Sequence, residues 1–321
     1  MRSSFRATAL GAVLAFAFLP AAHASCGAAF CAVNGDWASD ALGLQEGSVL
    51  DLRYEYIPQD QPRAGSRRIG VGEIPHHHDE VETTNRNLLL NYSRNFAGGW
   101  GFSLALPLVH REHLHVHNHH GAQLPERWDF REPGDLRATG RYQAPWIDQS
   151  AGPASAGVTF GLKLPTGRTN IANAEGDVAE RSLQPGTGTT DAILGAFFHQ
   201  QLTTRPASWF AQVQVQAALH QHDGFAPGAQ LSADLGYAHA VTDRFSGLLQ
   251  LNAVFKQRDR GANAEPEDSG GRFLFVSPGF SYELSERWRL YGFWQQPLYQ
   301  YVNGVQLTAD KALVIGVATR F

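Results

Sequence analysis

The sequence predicts an all-β chain that closes into an antiparallel barrel of about twelve strands. Apolar and polar residues alternate through twelve segments. Because strand side chains point to opposite faces in turn, each segment has one apolar and one polar face. Short and long connections alternate between the segments, and the last segment ends on an aromatic residue, Phe321. We interpret the fold as a transmembrane barrel of the Gram-negative outer-membrane type.

The twelve segments have the length of strands that cross a membrane at a tilt. The expected strands are 48–57, 83–96, 100–108, 136–146, 156–164, 191–202, 209–219, 230–241, 245–256, 272–284, 288–297 and 311–321. The seventh strand shows the pattern most clearly, because Val213 and Val215 alternate with Gln214 and Gln216. We expect the valines to face lipid and the glutamines to face the interior.

The inward faces predict a polar lumen with charges of both signs. The candidate pore-lining residues are Asp51, Arg53, Glu55, Arg137, Arg141, Lys163, Gln214, Asn252 and Lys256. Such a wall can surround a water-filled pore or cross-link into a closed polar core, and twelve strands give an intermediate width. The alternative is a secreted soluble sandwich or lipocalin-like barrel, which would bury the apolar faces and expose the charged rows.

The connections predict two different ends of the barrel. Short links are expected near residues 97, 148, 204, 242 and 285, and long polar links at 58–82, 110–134, 165–189, 221–227, 258–271 and 299–310. In outer-membrane barrels the short turns are periplasmic and the long loops are extracellular. Aromatic residues near the strand ends suit the membrane interfaces: Tyr92, Trp100, Trp146, Trp209, Trp288 and Phe321.

The first residues predict export. Arg2 and Arg6 precede a short apolar run and the sequence Ala22-His23-Ala24, which is the order of a cleavable signal peptide. We therefore expect a signal peptide at 1–24, a periplasmic or plug-like segment at 25–46, and the barrel at 47–321. Localisation in the outer membrane implies contact with lipid and with periplasmic chaperones and the barrel-assembly machinery, for which Phe321 is the expected signal.

Two cysteines and a small negative charge limit the remaining chemistry. Cys26 and Cys31 can form a disulfide in an oxidising periplasm or, alternatively, a thiolate metal or redox site. The formal net charge of −4 gives no basis for binding nucleic acid. An enzyme of the outer membrane would need a paired serine and histidine, but Ser232 and His239 lie on opposite faces by parity. We expect no enzymatic activity.

Two motifs resemble those of a known family. Residues 162–167 read Leu-Lys-Leu-Pro-Thr-Gly, and residues 184–188 read Gln-Pro-Gly-Thr-Gly, followed by Thr-Thr-Asp at 189–191 and Ile-Leu-Gly at 193–195. Together they are similar to the signature of the meta-pathway phenol-degradation outer-membrane family. The resemblance implies an outer-membrane channel for a small-molecule substrate that is hydrophobic or aromatic, with no required cofactor.

Nine of the fourteen histidines lie in the first two long links. They are His76, His77, His78, His110, His113, His115, His117, His119 and His120. Neutral imidazole binds Zn, Cu and other divalent transition metals. The alternation from His113 to His119 would place the rings on one side of an extended hairpin arm, where Glu80 or Glu112 could assist. A metal-ion channel or surface metal binder is therefore the alternative function, and solvated or pH-responsive loops are a third possibility.

Overall fold

The computed structural model describes residues 32–35, 46–74, 79–119, 122–146, 148 and 150–321, with no side chains described at 79, 117–119 and 122. The expected signal peptide, both cysteines, His76 to His78 and His120 lie outside the described residues. The strands are β1 (Gly47–Gln59), β2 (Gln61–Gly65), β3 (Arg67–Arg68), β4 (Asp79–Asn95), β5 (Trp100–His119), β6 (Ala122–Pro133), β7 (Leu136–Pro145), β8 (Ala154–Leu164), β9 (Asp191–Leu202), β10 (Ala207–Ala218), β11 (Gln230–Ala240), β12 (Phe245–Lys256), β13 (Gly271–Glu283), β14 (Trp288–Thr308) and β15 (Ala312–Arg320).

Twelve of these strands form a closed antiparallel barrel, which confirms the predicted fold class. The ring runs through β1, β4 and β5 and then through β7 to β15 in chain order, and β15 pairs back with β1. Closure leaves the barrel without an edge strand, so the backbone groups of the wall pair with neighbouring strands. Among the described residues, no helix combines the length and the apolar character needed to cross a membrane.

The apolar faces of the twelve barrel strands point outward, as predicted. Leu52, Leu106 and Val213 are exposed on this surface, whereas inward neighbours such as Asp51 and Asn252 are buried. An apolar surface of this extent would be unfavourable in water and is stable against lipid tails. The alternative of a soluble barrel with apolar faces inside is therefore wrong.

The two ends of the barrel differ as the loop lengths predict. At the short-turn end, Gly98 and Gly99 adopt positive φ angles of 79° and 83° in the turn from β4 to β5, a backbone conformation that favours glycine. Aromatic rings pack on the outer wall nearby, with Trp100 and Tyr142 centroids 4.9 Å apart. Such an aromatic girdle is typical of a membrane interface.

The long-loop end contains more strand than the sequence predicts. The expected link at 110–134 is instead a hairpin, because β5 continues to His119 and pairs with β6. Likewise, β14 continues to Thr308 and pairs with β2 within the expected links at 299–310 and 58–82. These extensions carry polar residues on both faces, so they lack the apolar row by which we identified the barrel strands.

Three segments lie at this end of the barrel, and we call them together the lid. They are the arm, formed by 109–119 and 122–133; the inward loop, 165–190; and the β12–β13 loop, 257–270. The arm and the inward loop share a buried apolar core that includes Val109, Trp128, Phe130 and Leu183. Burial of these side chains holds the two segments against each other.

Candidate functional site

The lumen contains a cavity of about 300 Å³. It is lined by residues of the wall and by residues 32–35, and Leu89 and Val254 provide apolar surface. Arg53, Arg137, Arg141 and Gln214 also line it, together with Asn91, Ser93, Ser103, Ala105, Thr139, Thr159, Gln212, Gln230, Ser232 and Asp234. The cavity therefore combines apolar patches with a few cationic and hydrogen-bonding groups, which suits a small solute that has both kinds of surface.

Residues 32–35 lie inside the barrel and occupy part of the lumen. The Asn34 backbone donates a hydrogen bond to Gln250 Oε1 (3.0 Å), and its side chain donates to Gln212 Oε1 (2.9 Å). Val33 packs into a buried cluster that contains Phe210 and Tyr291. These contacts hold the segment in place as a plug on the β10 to β14 side.

The remaining pore-lining candidates are paired within the wall. The Tyr291 hydroxyl donates to both carboxylate oxygens of Asp51, at 2.9 and 3.0 Å. Arg53 lies 3.2 Å from Glu55, and Asn252 donates to Asp234 (2.8 Å). Lys256 Nζ lies 3.0 Å from Asp259. Charges of both signs thus neutralise one another, and much of the lumen is a cross-linked polar core.

Lys163 belongs to the first of the two motifs that resemble the family signature, at residues 162–167. Its ammonium group lies 3.1 Å from both Asp135 and Asp191. The backbone N–H groups of Gly167 and Thr187 donate to the two oxygens of Asp135, each at 3.0 Å. The motifs therefore tie both ends of the inward loop to the wall beside β7 and β8.

The inner face of the arm brings two histidines next to a carboxylate. His113 Nε2 lies 3.3 Å from His115 Nδ1 and 3.8 Å from Glu80 Oε2. All three residues are buried, and one ligand atom from each lies within 4.8 Å of the others. The other nitrogens have outer partners, since His113 Nδ1 is 2.8 Å from Thr83 Oγ1 and His115 Nε2 is 2.9 Å from Glu126. When those outer nitrogens carry the protons, the two inner nitrogens present lone pairs to the same point.

Electrostatics keep His113 in the neutral form that binds metals. Burial, and then the nearby His115 and Arg111, hold the pKa of His113 well below its ordinary value of 6.5. The ring is therefore neutral at physiological pH, as a metal ligand must be. The separation also fits, because two nitrogens about 2.05 Å from a tetrahedral Zn²⁺ lie roughly 3.3 Å apart.

Two glutamates of the lid carry strongly raised pKa values. Burial, and then Glu265 and Glu80, raise the pKa of Glu180 well above its ordinary value. Burial, and then Glu80 and Asp268, raise the pKa of Glu265 to about 8. Neither glutamate was a candidate from the sequence, because they lie far apart in the chain and only the folded loops bring them together. Desolvation beside other acids disfavours the charged form of both carboxyls.

The other predicted histidines are placed differently. His110 lies on the outer face of the arm, 3.1 Å from Asp129 and 3.4 Å from Glu112. Arg86 already pairs with Glu112 at 2.6 Å, so the negative charge of Glu112 is partly neutralised. For His117 and His119 only the strand position is described, further along β5.

Comparisons with known proteins agree with the fold. Residues 85–306 match the family model described as "Putative MetA-pathway of phenol degradation". The crystal structure of the COG4313 outer membrane channel from Pseudomonas putida F1 is similar at 14% identity, covering 87% of this chain and 97% of that one with a TM-score of 0.66. A Pseudomonas aeruginosa FadL homologue is similar at 9% identity, covering 92% and 96%, with a TM-score of 0.42. No curated protein matches the chain in sequence.

The fold is therefore that of a Gram-negative outer-membrane β-barrel. This confirms the localisation and the class of protein expected from the alternating strands. Within the described residues, the side chains available to a solute in the lumen are those that line the cavity.

Proposed function

The chain belongs to the family of the MetA-pathway of phenol degradation, and from that premise we propose that it is an outer-membrane channel for a small aromatic or otherwise hydrophobic solute with a polar group. The cavity carries this proposal. Its volume of about 300 Å³ is at the lower end of the range for small-molecule sites. Arg137 and Arg141 can hold a hydroxyl or carboxylate group of the solute while its ring contacts the apolar surface of Leu89.

Single-channel recording tests this function. The refolded mature protein is placed in a planar bilayer, and benzoate or phenol is added during conduction. We expect discrete openings that either aromatic compound blocks at concentrations where cyclohexanol, a non-aromatic molecule of similar size, does not. Equal block by cyclohexanol would contradict selectivity for aromatic solutes.

A matched pair of variants tests whether the solute passes through the cavity. Ser103 lines the cavity, whereas its neighbour Leu104 is exposed on the outer wall. Ser103→Trp is expected to fill the cavity and remove both conduction and block, and Leu104→Trp to preserve them. If the two variants conduct alike, the solute does not pass through this cavity.

Assembly of the barrel is proposed to use Phe321 as the signal for periplasmic chaperones and the barrel-assembly machinery. The Phe321 backbone exchanges two hydrogen bonds with Ser48, at 2.8 and 3.0 Å, beside the β1–β15 seam. Its ring lies 6.5 Å from that of Tyr92 on the neighbouring wall. These contacts support a role for the residue where the barrel closes.

A second function is supported by the inner face of the arm. We propose that the protein binds a divalent transition metal such as Zn²⁺ or Cu²⁺ through His113, His115 and Glu80. Isothermal titration of the refolded protein tests this, with His113→Ala/His115→Ala compared with His110→Ala on the outer face. We expect the double variant to lose binding and His110→Ala to retain it. Equal binding by all three proteins would assign the metal to other histidines.

A further inference from the structure

The cavity in the lumen has an uneven distribution of charge. Among the described residues that line it, three are arginines, Arg53, Arg137 and Arg141, and one is a carboxylate, Asp234. The arginines belong to β1 and β7, whereas Asp234 belongs to β11, which lies four strands further round the ring from β7. The cavity therefore has a cationic side that is separated from its acidic position.

Two of these four groups hold the wall and the plug together. Asp234 accepts a hydrogen bond from the Asn252 side chain at 2.8 Å. Arg53 lies 3.2 Å from Glu55, and its guanidinium packs so closely against the backbone of Gly35 that a Cβ atom would not fit there. These contacts give Asp234 and Arg53 structural roles, so we assign the binding of a solute to the arginines of β7.

The two arginines of β7 point into the cavity on either side of Thr139. Their side chains share one face because residues two and four positions apart on a strand face the same way. Arg141 donates to Asn95 Oδ1 at 2.6 Å, and this neutral amide orients the guanidinium without cancelling its charge. An arginine has five N–H donors, two of which match the two oxygens of a carboxylate. β7 therefore offers the geometry and the charge that a carboxylate needs.

Apolar surface lies next to these arginines. Ala105 of β5 is the register partner of Arg137, and both Ala105 and Leu89 of β4 line the cavity. An aromatic ring against this surface can direct a carboxyl group on the ring toward β7. At neutral pH a carboxylic acid is ionised whereas a phenol is not. The cationic side of the cavity therefore distinguishes these two kinds of aromatic solute by their charge.

We propose that the cavity selects aromatic carboxylates, and that Arg137 and Arg141 bind the carboxylate group. The inference rests on the channel function proposed above and narrows its solute from an aromatic molecule with any polar group to an aromatic anion. The same arginines attract small anions, because a narrow passage lined by one sign of charge concentrates the field of that charge. The open channel therefore prefers chloride to potassium, as pores lined by arginine do.

Single-channel recording of the whole mature protein at neutral pH tests this selection with three ring compounds. They are benzoate, which is an anion, phenol, which is neutral, and benzylamine, which is a cation. We expect benzoate to block the wild type at concentrations at least about tenfold lower than phenol, and benzylamine to block least. In Arg137→Gln/Arg141→Gln, the advantage of benzoate over phenol should disappear. The control, Arg127→Gln/Arg131→Gln, removes two exposed arginines from the arm and should behave as the wild type does.

A lysine variant separates the charge of the two arginines from their shape. Arg137→Lys/Arg141→Lys keeps both positive charges but replaces each planar guanidinium by a single ammonium group. We expect the zero-current potential in a KCl gradient to show the anion preference of the wild type, and benzoate block to be intermediate between the wild type and the glutamine variant. Block as tight as in the wild type would contradict binding by paired N–H groups.

The outcomes separate this inference from the function on which it rests. If neither benzoate nor phenol blocks the wild type, the proposed channel function fails. If the two compounds block at equal concentrations, that function stands and the selection of anions is wrong. If the glutamine variant retains the full advantage of benzoate, Arg137 and Arg141 are not the binding residues. Heat-modifiable gel mobility verifies folding, and Arg137→Gln alone replaces the double variant if that protein does not fold.

Discussion

The barrel wall and the lid both contain buried ionisable groups, but these groups differ in the partners that the fold gives them. In the wall, Lys163 sits between Asp135 and Asp191 at 3.1 Å from each, and the Tyr291 hydroxyl donates one hydrogen bond shared between both oxygens of Asp51. In the lid, Glu180 and Glu265 face other acids, with oxygens that have no partner among the described residues. The charges of the wall are satisfied by the fold, whereas burial favours the protonated, uncharged form of these two lid carboxyls.

This difference separates structural residues from functional ones. A buried charge with a complete set of partners can be explained by folding alone, because removal of one partner leaves the other unpaired. A buried charge without partners lowers stability and is retained when a ligand compensates for it. Substitutions in the wall should therefore lower stability, and substitutions in the lid should change the response to metal and to pH.

The largest effect is expected from Lys163→Met, which breaks the central pairing of the wall. The variant leaves two buried carboxylates facing each other, so we expect a loss of roughly 3–5 kcal/mol in the free energy of unfolding. Urea unfolding of the refolded barrel measures it, with the exposed Lys311→Met as control. A loss no larger than that of the control would show that Lys163 is not needed for the balance of charge.

A smaller loss is expected from Val213→Arg on the outer wall. Val213 lies at the middle of β10, where an arginine facing lipid lowers the free energy of unfolding by about 2–4 kcal/mol. The matched control, Gln214→Arg, places the same side chain in the lumen, where water and polar groups receive it. Unfolding in lipid vesicles compares the two variants. A larger loss at Gln214 would reverse the assignment of the faces.

The wall could be predicted from the sequence because its signal is local. A strand that faces lipid on one side and polar groups on the other repeats every second residue, as Val213 and Gln214 show. The strand count, the outward face and the position of the short turns all follow from that period. Loop length also predicted which end would carry the long connections.

The lid could be predicted only in part. The spacing of His113 and His115 correctly indicated one side of a hairpin arm, and Glu80 was a possible assistant. Glu180 and Glu265 could not be identified, because each is an ordinary loop glutamate until the inward loop and the β12–β13 loop meet. The plug was left open as either periplasmic or luminal, since the contacts of Asn34 with Gln212 and Gln250 join residues more than 170 positions apart.

Replacement of Val33 and Asn34 by Gly-Ser tests whether the plug, residues 32–35, contributes to stability as the wall does or only narrows the lumen. The change removes the apolar contact of Val33 and the side-chain hydrogen bond from Asn34 to Gln212 while the wall stays paired. We therefore expect little change in the free energy of unfolding and a higher single-channel conductance, because the segment releases part of the lumen. Unchanged conductance would mean that the plug does not restrict the path.

The smallest effect concerns the pH response of the lid without metal. Burial, and then Glu80, Asp268 and Asp259, raise the pKa of Glu265 from its ordinary value of 4.5 to about 8 in the closed lid. The closed lid therefore binds more protons than an open one, so it loses stability as the pH rises from about 4.5 to about 8. In EDTA, conductance should rise over this window in the wild type and in the exposed control Glu267→Gln. Glu265→Gln should weaken the rise, because its amide stays neutral at every pH. A full rise in that variant would assign the response to other acids of the lid, with Glu180 as the next one to replace.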